Sequence, residues 1–153
     1  MPAVKKVLIV GGGPAGLCAA TALTKRGIDV EVAEINEEIR PLGSGLSMNG
    51  VSLRALKAVD EEALERCVRD GAGHPALTFC TVDGTVLHRV LMPQAAGPEY
   101  PGGFGIMRPL FWGLLAETAQ KYGARIRLRT TVTDIDDHDD GVDVGLSDGT
   151  RSV

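Results

Sequence analysis

The chain has 153 residues, 44% hydrophobic and 24% charged, the makeup of a soluble globular protein long enough to bury a core. Its 16 basic and 20 acidic residues leave a formal charge of −4, which excludes a basic footprint for nucleic acid or an anionic membrane. No segment has the character of a signal peptide or membrane span, and Cys18, Cys67 and Cys80 form no C-x-x-C pair, so buried reduced thiols and a cytoplasmic protein are expected.

Val7-Leu8-Ile9-Val10 is an apolar run of strand length, followed at once by Gly11-Gly12-Gly13-Pro14-Ala15-Gly16. This is a G-x-G-x-x-G pattern at Gly11, Gly13 and Gly16, with Pro14 suited to the first position of a helix. Residues 17–26 continue that helix, where the small Ala19, Ala20 and Ala22 permit close approach. Lys25 and Arg26 are expected in its last turn and Gly27 at a left-handed cap. Residues 29–33 alternate as a second strand, and Glu34 stands at its end, 23 residues beyond Gly11. Each part has a chemical use. Gly11 allows a sharp turn, Gly13 lets the backbone approach a pyrophosphate, and Gly16 lets the helix sit close on the strand. The N–H groups of the helix start face phosphate charge, and Glu34 can accept ribose hydroxyls. The stretch reads as a dinucleotide site.

Residues 36–47 read as a loop broken by Pro41 and by glycine and serine. Asn49 is expected to cap a helix running to about Val59, with Leu53 and Leu56 on one face. Asp60 is expected to cap a second, with Glu61 and Glu62 at its positive end and Leu64, Cys67 and Val68 turned inward. Gly71 and Gly73 end the helical region. Residues 77–82 and 85–90 alternate about Asp83-Gly84, a hairpin signature, and residues 91–105 read as irregular. Residues 107–122 form an amphipathic helix with Met107, Leu110, Phe111, Leu114, Leu115, Ala119 and Tyr122 on its apolar face. Pro109 fits the first turn of that helix and Gly123 its end. Residues 125–129, 131–135 and 142–146 read as strands, and residues 147–150 as a turn. The acidic run 134–140 is expected to be a solvated hairpin turn. Taken as an EF-hand loop from Asp136, it would put His138 at position 3 and Ser147 at position 12, where ligand carboxylates are required. His74, His88 and His138 are isolated, without metal-ligand spacing.

In order and spacing these motifs resemble the N-terminal part of the FAD-dependent aromatic hydroxylases, the para-hydroxybenzoate hydroxylase type of flavin monooxygenase. The resemblance is carried by residues 7–16, Glu34, Gly43-Ser44-Gly45-Leu46, Met107-Arg108-Pro109-Leu110, residues 123–132 and the Leu146-Ser147-Asp148-Gly149-Thr150 turn. It implies an α/β, Rossmann-like FAD-binding βαβ fold with an inserted β-hairpin region. Residues 1–73 would be the N-terminal βαβ part, 74–105 a hairpin and loop contributing to a substrate domain, and 106–153 the return to the FAD-binding domain. Gly11, Gly13, Ala15 and Gly16 would hold the FAD pyrophosphate and Glu34 the adenosine ribose. Gly45 would lie by the flavin, Arg108 would reach the ribityl–phosphate part, and Val132 would meet the adenine through its backbone. Arg40 would offer a further phosphate or flavin contact. The whole enzyme would reduce FAD with NADH or NADPH and use O2 to hydroxylate a small aromatic such as a phenol.

In that family a D-G motif and a later G-D segment come after the strand that would follow Val153. Asp148-Gly149 is not that motif, because it sits in a turn without an apolar strand before it. The chain is therefore expected to be a truncated domain. No side chain carries the signature of a catalytic acid or base. The residues themselves leave two rivals open. One is the Rossmann half of an NAD-dependent dehydrogenase, in which Glu34 would disfavour a 2′-phosphate, though the hairpin argues against it. The other is a non-catalytic nucleotide-binding fragment.

Overall fold

A computed structural model describes residues 4–39, 43–139 and 141–152. In chain order its elements are β1 (Lys6–Val10), α1 (Pro14–Thr24), β2 (Asp29–Ala33), β3 (Gly45–Asn49), α2 (Gly50–Val59), α3 (Glu61–Asp70) and β4 (Ala72–His74). These are followed by β5 (Ala76–Cys80), β6 (Val86–Leu91), β7 (Gly103–Met107), α4 (Arg108–Lys121), β8 (Arg125–Arg127), β9 (Val132–His138), β10 (Gly141–Leu146) and β11 (Arg151–Ser152). Met1–Pro41 with Leu115–Val153 make one compact unit and Leu42–Leu114 another.

The first unit is built on a parallel sheet of order β1-β2-β8 and an antiparallel sheet of order β11-β10-β9. Val30 and Val32 of β2 are 0% exposed, each contributing about 1.5–3 kcal/mol of burial free energy. On α1, Leu17, Ala20 and Thr21 are buried. The helix ends at Thr24, so Lys25 and Arg26 lie just past it rather than in its last turn. Arg26 still serves the helix end, donating from Nη1 to the Ala22 carbonyl at 2.9 Å, and Gly27 takes the expected left-handed φ of 78°. Ala33, Val144 and Leu146 form a buried cluster, with Leu8 and Val132 packed against it. The acidic run lies in a solvated hairpin as expected, but most of it is strand: β9 continues through it to His138, exposed and paired along β10.

The second unit holds an antiparallel sheet of order β3-β7-β4 and the β5–β6 hairpin. The hairpin stands where alternation placed it, and Gly84 in its turn has a φ of 88°. Both helix caps are also as read: Asn49 accepts from the Ser52 N–H at 3.0 Å and Asp60 from the Ala63 N–H at 2.9 Å. The three-stranded sheet was not expected. Residues 45–47 read as loop in the sequence and 103–105 as irregular, yet β7 is the central strand, pairing Gly103 with both Asn49 and His74. A Cβ on Gly103 would lie 2.1 Å from His74 Cε1, and one on Gly71 would lie 2.1 Å from Phe104 Cζ. Glycine stands at 103 in β7 and at 71, between α3 and β4, because side chains from neighbouring elements occupy the Cβ positions there.

Helix α4 opens at Arg108 rather than Met107. Met107 and Leu110 are exposed, whereas Phe111, Leu114, Leu115 and Ala119 are buried. The thiols also divide. Burial, joined by the charge of Asp70, pushes the Cys67 thiol up to about 12, and burial raises that of Cys18. Cys80 is exposed on the hairpin, contrary to the expected burial.

Candidate functional site

The glycine loop leaves β1 abruptly. Gly11 has a φ of 104°, in the left-handed region, and its N–H donates to the Ala33 carbonyl at 2.8 Å. A Cβ on Gly16 would lie 2.1 Å from the Gly11 carbonyl oxygen and 3.2 Å from Ile9 Cγ2, so only glycine lets α1 approach β1 this closely. Gly13 is the extended N-cap of α1, with no side-chain capping bond. A Cβ on it would meet nothing within 4 Å. Pro14 has no N–H, and those of Ala15 and Gly16 have no intrahelical carbonyl to bond. The helix start therefore presents donors and the positive end of its dipole.

Glu34 closes this loop against the end of β2. Its Oε2 accepts the Gly12 N–H at 2.6 Å, while Oε1 accepts the Asn36 main-chain N–H at 2.8 Å and Asn36 Nδ2 at 2.5 Å. Burial pushes the carboxyl up, but the N–H groups of Asn36 and Gly12 outweigh it and hold the group below the ordinary glutamate range. Three of about four acceptor positions of the carboxylate are thus filled from the protein side.

The surrounding main chain is equally fixed. The Glu34 N–H donates to the Arg127 carbonyl at 2.8 Å and its carbonyl accepts from the Thr130 N–H at 2.9 Å. The Asn36 carbonyl accepts from the Arg129 N–H at 3.0 Å. These bonds bring residues 127–130 against Glu34, and Val132 follows at the start of β9 with its side chain on the Ala33–Val144–Leu146 cluster. Arg127 braces the arrangement from behind. Its Nη1 meets Glu31 at 3.0 Å, and its Nη2 bonds Asp148 and, at 2.7 Å, Thr150 Oγ1.

In the second unit, Gly45 pairs with Met107 across β3 and β7, and a Cβ on it would lie 3.3 Å from the Ile106 carbonyl oxygen. The next residue, Arg108, donates its N–H to the Ser44 carbonyl at 3.3 Å. Its exposed guanidinium lies over the Trp112 ring, 5.2 Å from the centroid, where the ring face attracts it. Gly11, Gly13, Ala15, Gly16, Glu34 and Val132 belong to the first unit, and Gly45 and Arg108 to the second. Arg40 lies outside the described residues.

Gly12 and Asn36 were not singled out from sequence. A residue between two fingerprint glycines and an asparagine in a loop carry no distinct signal until Glu34 is seen between them. For FAD the first unit offers a fitting receptor: glycine backbone open where a side chain would intrude, unpaired donors at a helix start, and an ionised carboxylate beside them. Among the described residues no group of three or more His, Cys, Asp or Glu could hold a metal ion.

A family model described as FAD binding domain matches residues 5–153. The chain is similar to 2-heptyl-3-hydroxy-4(1H)-quinolone synthase from Pseudomonas aeruginosa (strain UCBPP-PA14), 35% identical over 144 residues, which cover 94% of this chain and 36% of that protein. It is also similar to 3-hydroxybenzoate 6-hydroxylase from Polaromonas naphthalenivorans (strain CJ2), 30% identical over 125 residues, covering 80% of this chain and 30% of that one. Among solved structures, p-nitrophenol 4-monooxygenase from Pseudomonas putida DLL-E4 shares the fold with a TM-score of 0.82 at 23% identity, over 97% of this chain and 38% of that chain. The chain spans about a third of the length of these proteins.

Proposed function

The chain belongs to the FAD binding domain family, and we propose that it is the FAD-holding part of an NADH- or NADPH-dependent flavin monooxygenase that hydroxylates a phenolic aromatic substrate with O2. The observation that carries this reading is the open, donor-lined start of α1 beside the clamped carboxylate of Glu34. The names of two similar proteins, a 3-hydroxybenzoate hydroxylase and a nitrophenol monooxygenase, support the aromatic substrate class.

Bound FAD would supply the redox chemistry, passing electrons from the nicotinamide donor to O2. Gly11 and Gly13 admit the pyrophosphate to the helix start, where the N–H groups of Ala15 and Gly16 offset its charge. Glu34 accepts a ribose hydroxyl at the acceptor position that the protein leaves open, and the main chain of Val132 meets the adenine. Gly45 gives the flavin a close approach to backbone. Arg108 offers a planar fork of donors to phosphate or ribityl oxygens, and Arg40 a further contact of the same kind. Residues 74–105 contribute a wall to the substrate domain. No side chain is assigned acid–base work. Among the described residues no helix is long and apolar enough to cross a membrane, and we place the working enzyme in the cytoplasm.

The test is a graft. Residues 5–153 would replace the matched third of the Pseudomonas aeruginosa quinolone synthase, and the chimera would be assayed with a panel of phenols. The reading predicts bound flavin, and NADH or NADPH oxidation coupled to O2 uptake and to a hydroxylated product. A folded chimera that holds no flavin, or holds it and hydroxylates no aromatic, contradicts the reading.

A further inference from the structure

We infer that Asn36 is a positioning residue for FAD binding, acting through Glu34; this rests on the reading of Glu34 as the ribose acceptor. Both of its N–H groups converge on one oxygen of Glu34: the main-chain N–H at 2.8 Å and Nδ2 at 2.5 Å, both to Oε1. That leaves Oε2 for the Gly12 N–H at 2.6 Å. A glutamate carboxylate otherwise turns freely about its last torsion. The side-chain amide of Asn36 fixes that torsion, so that one oxygen stays on the glycine loop and the remaining open lone pair keeps one direction. Asn36 is itself held, its carbonyl accepting from the Arg129 N–H at 3.0 Å. It is also exposed and outside the buried core. Its side chain therefore works on the carboxylate and not on packing.

Among the described residues Arg129 is paired with Glu37 at 3.1 Å and Arg127 with Glu31 at 3.0 Å, and it is the N–H donors of Asn36 and Gly12 that favour the ionised Glu34. Removing Nδ2 takes away one of three. The carboxyl then titrates nearer the ordinary glutamate range, and the Gly12 N–H loses a fixed acceptor.

The experiment uses the full chain with Asn36→Ala, Asn36→Asp, Asn36→Ser, Glu34→Gln and the Asn36→Ala/Glu34→Gln pair. FAD affinity is measured by fluorescence titration from neutral pH into acid, and the Glu34 carboxyl is followed by carbon NMR without ligand. Asn36→Ala should weaken FAD about tenfold and Asn36→Asp more, because it sets a like charge against Glu34. Asn36→Ser, which keeps a hydroxyl donor, should recover part of the loss. In the Glu34→Gln background Asn36→Ala should add little. The Glu34 titration should move upward in Asn36→Ala, and FAD binding should fail at a higher pH than in the wild type.

If Glu34→Gln binds FAD as the wild type does, the ribose reading falls and this inference with it. If Glu34→Gln weakens FAD but Asn36→Ala does not, the inference alone falls. It also falls if the Asn36→Ala loss is fully additive, or if the carboxyl titration is unmoved.

Discussion

Gly12 and Glu34 stand 22 positions apart in sequence, yet the Gly12 N–H donates to Glu34 Oε2 at 2.6 Å in a buried hydrogen bond. The neighbouring bond from the Gly11 N–H to the Ala33 carbonyl, 2.8 Å, runs between the same two segments. Loop and acid are thus joined into one hydrogen-bonded piece.

The bond is testable from either end. Glu34→Ala and Gly12→Ala should each weaken FAD binding at least tenfold, the scale of a hydrogen bond to a charged group. The second acts because its Cβ would lie 2.8 Å from Ile39 Cδ1 and 3.1 Å from Glu34 Oε2, pressing the carboxylate off the loop. Isothermal titration calorimetry would measure both, and unchanged affinity in both would remove Glu34 from the site.

Gly13 and Gly16 should part company under the same substitution. Gly16→Ala brings a methyl to 2.1 Å from the Gly11 carbonyl oxygen, a backbone atom that cannot step aside, and should cost about 1–3 kcal/mol of stability. Gly13→Ala meets nothing within 4 Å, so its stability should fall little, by under about 1 kcal/mol for an alanine N-cap, with a correspondingly small shift of the thermal midpoint. Its FAD affinity should nevertheless fall sharply, because the space it fills is where the pyrophosphate would lie. Equal thermal and binding effects in the two variants would show that the open space at Gly13 is not used.

Acid should weaken the fold in part through Glu34. Its carboxyl lies below the ordinary glutamate range in the folded chain. Its contribution is therefore fully present above the unfolded-state value, and is lost as the pH falls through the lowered folded-state value. Urea midpoints of the wild type and Glu34→Gln should differ near neutrality and converge in acid. A difference that stays constant with pH would mean that Glu34 is not held ionised by its donors.

Arg129 carries a φ of 53°, the one left-handed non-glycine residue among those described. Relief of that conformation is worth about 1–2 kcal/mol, against about 0.5–1 kcal/mol for the added freedom of glycine. Its ion pair with Glu37 leaves both side chains more than two-thirds exposed and is worth about 0–1 kcal/mol. Arg129→Gly should accordingly be close to neutral in thermal melts, while the β-branched Arg129→Val should lose more than about 1 kcal/mol. A destabilised Arg129→Gly would show that the guanidinium, and not the backbone, matters there.

What could be read from sequence follows from how local each signal is. The βαβ arm and the β5–β6 hairpin were legible because strand periodicity, turn glycines and caps act within a few residues. Strand β7 was not, because Gly103 answers to His74, some 30 positions earlier in sequence, whose ring occupies the space over it. The apolar spacing of α4 placed Met107 and Leu110 inward, but both are exposed; periodicity gives a face, not its width. The site shows the same division. Gly11, Gly13, Gly16 and Glu34 stand out by spacing. Gly12 and Asn36 matter only through the carboxylate that the fold sets between them, and Arg127 only through Glu31, Asp148 and Thr150.

The most direct measurement is an equilibrium titration of FAD with the purified chain, read by flavin fluorescence and run beside Gly13→Val. The account predicts saturable binding by the wild type and none, or far weaker binding, by the variant, both chains being equally folded by circular dichroism. A folded wild-type chain that leaves the flavin signal unchanged, or binding that the valine does not disturb, would contradict the assignment of the Gly11-to-Glu34 arm as an FAD receptor.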